Sequence, residues 1–215
     1  MNLEEIFKQA NFYRDNDQNE EALELFEKIL NSSSGADPKL RANSQHLKAI
    51  TLYNWGKFEW VWDELLKTQE MYEKLGEKTG VGAVLRDLGS TAVNLGDYDK
   101  AEKLMEESIK VLKDADDGEL GISQVKLGTV YLAQGKLDEA EKITINGIKT
   151  MGDVAEDYYI STGYMNLAEI LIKMGKISEA KQNLEKSLES LNKFAKPDEH
   201  LRRRKKLNSL LHSVN

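Results

Sequence analysis

Residues Gly89 to Ile109, GSTAVNLGDYDKAEKLMEESI, decide the fold of this 215-residue chain. A small residue at Gly89, a Gly-Asp turn at Gly96 and Asp97, the aromatic Tyr98, a second small residue at Ala101 and apolar Leu104, Met105 and Ile109 describe two helices packed face to face. The small residues admit close approach, Gly96 permits the turn, and Tyr98 and Met105 are expected to fill the space between the helices.

The same framework recurs through the chain. The alanine of the second helix returns as Ala22, Val61, Ala101, Ala140 and Ala180, at spacings of 39, 40, 39 and 40. Its turn returns as Asp17, Gly56, Gly96, Gly135 and Gly175, and the small residue of the first helix as Ala10, Ala49, Gly89, Gly128 and Ala168. Three independent markers in one register make a tandem repeat of helix pairs, and a fixed period of this length reads as a stacked array.

Local signals punctuate the array. Asp17 and Glu20 have capping-box spacing, and Asp37-Pro38 reads as an N-cap followed by the first helical residue. Residues 31–36 form a loop on composition, and Gly76 to Gly80 a turn between two helices. After the fifth repeat, Pro197 is expected to open one more helix with Leu207, Leu211 and Val214 on one face, covering the apolar end of the last repeat.

Stretches such as LGSTAVNLGDYDKAEKLMEESI, LGTVYLAQGKLDEAEKI and LAEILIKMGKISEAKQNLEKSL closely resemble tetratricopeptide repeats, in a long variety of about 40 residues. The resemblance covers residues 2–193. It implies an all-α fold: an α-α superhelix of five helix-turn-helix repeats, near 2–34, 38–76, 79–114, 118–152 and 156–193, with a capping helix near 197–213. The whole of 1–215 then reads as a single domain. The extra residues per repeat lengthen the helices by roughly 1.5 Å each.

Composition narrows the function. Forty per cent of the residues are hydrophobic and 31% charged, with two prolines. There is no cysteine, which excludes disulfides, thiolate nucleophiles and Cys-ligated metals. Met1 to Ala10 carries Glu4 and Glu5 and does not read as a secretory signal; no run of 18 apolar residues occurs, so no membrane contact and a cytoplasmic location are expected. The formal charge is −7, with +3 concentrated in residues 198–215 and −10 in the remainder, which argues against nucleic acid as the main partner. His46, His200 and His212 have no metal-ligand spacing, and no phosphate loop, nucleophile elbow or dinucleotide motif is present. The expectation is a protein that is not an enzyme and needs no cofactor.

Two surfaces stand out as places to bind a protein or peptide. In the resembled family the first helices line the inner, concave surface, and the matching residues here include His46, Ile50, Tyr53, Arg86, Ser90, Asn94, Val125, Lys126 and Asn166. Asn meets backbone amides, Arg and Lys meet acidic groups, and the apolar neighbours bury side chains. Relatives that grip a C-terminal carboxylate carry a lysine where this chain has Phe7, His46, Arg86, Val125 or Met165, so that mode is not expected. The second surface comes from comparing the five copies. Trp60 stands where Glu21, Lys100, Glu139 and Glu179 stand in the others, so it is expected to face solvent. Trp62 and Leu66, spaced i,i+4, are expected to extend an apolar strip there unless a neighbouring helix or the 31–36 loop covers them. The reading is therefore a peptide-binding scaffold using the groove, with two alternatives: a structural homo-oligomer, such as a homodimer, through the tryptophans, or a peptide-sensing regulator. An additional N-terminal unit, which such regulators carry, is not expected because the first repeat starts beside Met1.

Overall fold

The computed structural model describes residues 2–32, 37–152, 154–194 and 201–213, with the backbone alone at 194, 201–203 and 213. Among the described residues there are eleven helices and no strand. Five pairs follow in order: α1 (Leu3–Asp15) with α2 (Asn19–Leu30), α3 (Pro38–Asn54) with α4 (Phe58–Leu75), α5 (Lys78–Asn94) with α6 (Tyr98–Leu112), α7 (Asp117–Ala133) with α8 (Leu137–Met151), and α9 (Asp157–Lys173) with α10 (Ile177–Phe194). A last helix, α11 (Leu201–Ser213), follows. The expected start at Pro197 and the expected contact of Val214 lie outside the described residues.

The repeat register is a register of burial. Ala10, Ala49 and Ala168 of the first helices, and Ala22, Val61, Ala101, Ala140 and Ala180 of the second, are all fully buried. Gly89 and Gly128 are buried with them. The turn marker is equally regular, because Gly56, Gly96, Gly135 and Gly175 take φ of +80, +79, +76 and +75° and Asp17 takes φ +58°. In each turn the next amide donates to the carbonyl five residues back: Gln18 to Tyr13, Lys57 to Leu52, Lys136 to Tyr131 and Lys176 to Leu171 at 2.9 Å, and Asp97 to Ala92 at 3.0 Å. This bond satisfies a carbonyl that the helix end leaves orphaned, and it needs a left-handed residue before the donor.

The capping-box expectation for Asp17 and Glu20 is corrected by that geometry. Asp17 is the left-handed turn residue, α2 opens at Asn19, and its N-cap Gln18 makes no side-chain capping bond. A capping box does exist one helix earlier, where Asn2 and Glu5 exchange bonds of 2.8 Å at the start of α1. Asp37 and Pro38 do occupy the N-cap and first position of α3, though the Asp37 side chain makes no capping bond. Tyr98, expected between the helices of its pair, is 38% exposed at the first turn of α6, whereas Met105 is buried. At the expected Gly76 to Gly80 turn, only Gly76 is left-handed; Gly80 is helical, and a Cβ there would stand 2.5 Å from the Tyr72 ring.

The chain divides into two compact units, Met1–Leu104 and Met105–Asn215, with the division inside α6. In the first, Ala42, Ala49, Leu52, Val61, Leu65, Tyr72, Val84 and Leu88 form the largest core cluster. Ile6, Ala10, Ala22, Phe26 and Ile29 make smaller clusters between α1 and α2. In the second unit α7 and α8 approach closely because both carry glycine at the crossing: a Cβ on Gly121 would lie 2.6 Å from the Gly147 carbonyl oxygen, and one on Gly147 2.7 Å from that of Gly121. The cluster at the end of this unit holds Leu167, Leu171, Leu184 and Leu191, and Leu207 of α11 is fully buried against it. Among the described residues no helix is long and apolar enough to cross a membrane.

Candidate functional site

The first helix of each pair keeps its small and apolar residues inward and leaves a strip of half-buried polar side chains. In the first unit that strip runs along α3 and α5 and is laced together across the two helices. His46 Nε2 lies 2.8 Å from Asp87 Oδ2, and the Tyr72 hydroxyl donates to Asn43 Oδ1 at 2.9 Å with His46 Nδ1 at 3.4 Å. Burial, with the charges of Asp87 and Glu77, pushes the Tyr72 phenol up to about 12, so it stays a neutral donor. Further along, Asn94 Nδ2 donates to the Tyr53 hydroxyl at 2.7 Å and to the Ser90 carbonyl at 2.9 Å. Burial raises the Tyr53 phenol also, against the hydrogen bond from Asn94. His46, Ile50, Tyr53 and Ser90 are half-buried and Asn94 is exposed. Arg86 is 9% exposed, and its Nε lies 3.9 Å from Asp87 Oδ1.

In the second unit the corresponding strip lies on α7 and α9. Lys126 and Asn166 are half-buried, and Asn166 Nδ2 donates to Thr129 Oγ1 at 3.1 Å. Val125, at 2% exposed, is a core residue packed with Ile122 and Met151. Sequence reasoning did not single out the pairing of His46 with Asp87. A signal for it exists, since His46–Asp87 and Tyr53–Asn94 are each separated by 41 residues, one repeat plus one.

On the second helices the structure separates the tryptophans. Trp62 packs against the core of its unit with the Lys100 ammonium 3.6 Å from its ring centre. Trp60 is 54% exposed and shares a different cation, Lys57, with Trp55: the ammonium stands 5.7 Å from the first ring and 5.2 Å from the second. Residues two apart on a helix do not face each other, which is why Trp60 and Trp62 diverge. Leu66 is 43% exposed on the Trp62 side of α4. Trp55, the residue before the left-handed Gly56, drew no attention in the sequence because its position varies freely among the copies as Asn16, Leu95, Gln134 and Met174.

A cavity of about 690 Å³ opens in the second unit between α8, α9 and α10, lined by Ile148, Ile160 and Tyr164 together with Glu156, Lys186 and Lys193. No group of three or more His, Asp or Glu stands ready for a metal ion among the described residues.

Tetratricopeptide-repeat family models match residues 80–144 and 161–190. The chain carries tetratricopeptide repeats. Solved structures share the repeat fold. BtubC (BKLC) from P. vanneervenii aligns with a TM-score of 0.68 at 15% identity, over 91% of this chain and 83% of that one. A putative kinesin light chain from Podosopora anserina, with nearly identical TPR-like repeats, aligns with a TM-score of 0.62 at 20% identity, over 89% and 95%. A Rap protein complexed with competence and sporulation factor aligns with a TM-score of 0.65 at 18% identity, over 99% of this chain and 63% of that one. No curated protein matches the sequence at significance. Against this fold, the strips on α3 and α5 and on α7 and α9 lie on the first helices of successive tetratricopeptide repeats.

Proposed function

We propose that the chain is a non-enzymatic scaffold that binds a protein or peptide partner along the first helices of its repeats. The observation that carries the reading is the strip on α3 and α5. Its polar groups are held by one another, at 2.8 Å for His46–Asp87 and 2.7 Å for Asn94–Tyr53, beside the apolar Ile50 and Val93. Preorganised donors and acceptors alternating with apolar side chains suit an extended or helical peptide, whose amides and side chains alternate in the same way. The two strips carry no converging nucleophile, base and electrophile, so nothing in them calls for catalysis. A Rap protein of the same fold holds competence and sporulation factor, which supports a ligand-binding role for such repeats.

Affinity capture from a native lysate tests the reading, with wild type set against Ile50→Glu/Val93→Glu, two half-buried positions on the strip. Partners retained by wild type should be lost from the variant while its helical circular dichroism is unchanged. The same partners recovered at the same yield would reject the strip as the working surface.

A further inference from the structure

We infer that Trp55, Lys57 and Trp60, at the turn between α3 and α4, form a second docking surface, which takes a peptide segment carrying a carboxylate beside a large apolar side chain. Trp55 is 37% and Trp60 54% exposed, and between them stands the half-buried Lys57. Its ammonium has two indole rings for company and, among the described residues, no carboxylate within ion-pairing distance. The exposed part of each indole offers apolar surface that a partner side chain can cover. The lysine supplies an uncompensated charge in the middle of that surface, and a carboxylate desolvated there gains a charge-assisted bond.

The repeat provides an internal control. Lys57 follows the left-handed glycine of its turn, and so do Lys136 and Lys176. Lys176 pairs with Glu141, the residue after the marker alanine of the preceding repeat, at 2.7 Å. The residue standing in that place for Lys57 is Leu23. The same lysine position therefore takes a carboxylate from within the chain in the fifth repeat. In the second it lacks one and sits in an aromatic frame instead. An acidic segment from a partner completes the arrangement that the fifth repeat completes by itself. Ile50 and Val93 are not among the residues of this surface, so its occupancy is tested separately from theirs.

The test is selection of random twelve-residue peptides displayed on phage against the full chain, counter-selected on Trp55→Ala/Trp60→Ala. Binders that depend on the tryptophans should carry Asp or Glu next to Leu, Ile, Phe or Pro. A synthetic copy of one should bind Trp55→Ala/Trp60→Ala and Lys57→Glu at least tenfold more weakly than wild type, but Ile50→Glu/Val93→Glu equally well. Replacing the acidic residue of the peptide by lysine should shift its preference to Lys57→Glu. Binders without acidic residues, no tryptophan-dependent binders at all, or a peptide whose charge reversal gains nothing on Lys57→Glu would each overturn the inference. So would a concentration-dependent dimer that Trp60→Ala dissolves, since the surface would then be occupied by a second copy.

Discussion

Asp17 and Gly96 hold the same place in two turns, and the comparison isolates what one Cβ costs. Both residues are left-handed, at φ +58° and +79°, and space around a Cβ on Gly96 is open to beyond 4 Å. Gly96→Ala thus pays only for backbone strain, roughly 1–2 kcal/mol. Thermal unfolding should show that loss. Gly121→Ala should cost more, because its Cβ would meet the Gly147 carbonyl oxygen at 2.6 Å and force the helices apart. Equal melting temperatures for the two variants would refute the distinction. The glycines of the turns were legible in the sequence because they keep the register. Asp17 keeps the same register, but its spacing to Glu20 also reads as a capping box, because aspartate is a good capping residue and sequence alone does not choose between the two uses.

Glu64 is the other informative residue. Burial acts to raise its carboxyl, but the bonds from Lys48, Lys67 and Gln45 outweigh burial and hold it at about 2, below the ordinary 4.5 of a glutamate. Lys48 also reaches Glu27 at 2.6 Å, so α2, α3 and α4 are tied through one ammonium. A depressed folded-state value means the stabilisation is fully present above about 4.5 and is lost as pH falls toward 2. Acid unfolding should therefore steepen in that window for wild type and be flatter for Glu64→Gln. Identical pH profiles would show that Glu64 contributes nothing through its charge.

Among the elements, α11 makes the clearest claim. Leu207 is fully buried against the Leu184 and Leu191 side of α10, with Leu210 and Leu211 packed beside it. Leu207→Ala should cost about 2–5 kcal/mol in a second unit that would otherwise hold its end closed. Proteolysis of that variant should begin at α11 and leave Met1–Leu104 resistant for longer. Unchanged protease resistance would remove α11 from the core. The pairing of helices was readable from three markers in one register, since two of them are buried contact points between the helices and the third is the left-handed residue of the turn. The exposure of Tyr98 was not readable, because an aromatic at the first turn of a helix packs or projects according to the neighbouring element. The sharing of Lys57 by Trp55 and Trp60 was likewise hidden, because it depends on where a turn delivers two side chains.

At the scale of the molecule, repeats that contact chiefly their neighbours distribute stability along the chain, so each unit has its own account of loss. The lacing of α3 to α5 through residues 41 apart is the feature that sequence reading approached without reaching. It identified His46, Tyr53 and Asn94 as members of one surface, but tertiary pairing across repeats depends on the offset between helices, which a one-dimensional period does not contain. Arg86 and Val125 show the same limit, because the period assigns both to one face of their helices but does not tell that Arg86 is 9% exposed and Val125 2% exposed and packed with Ile122 and Met151.

The most direct measurement is calorimetric binding of a captured partner to wild type and to Ile50→Glu/Val93→Glu. The account predicts at least a tenfold rise in Kd for the variant, on the order of 1.4 kcal/mol or more, with circular dichroism and melting temperature unchanged. Equal Kd values for the two proteins would contradict it.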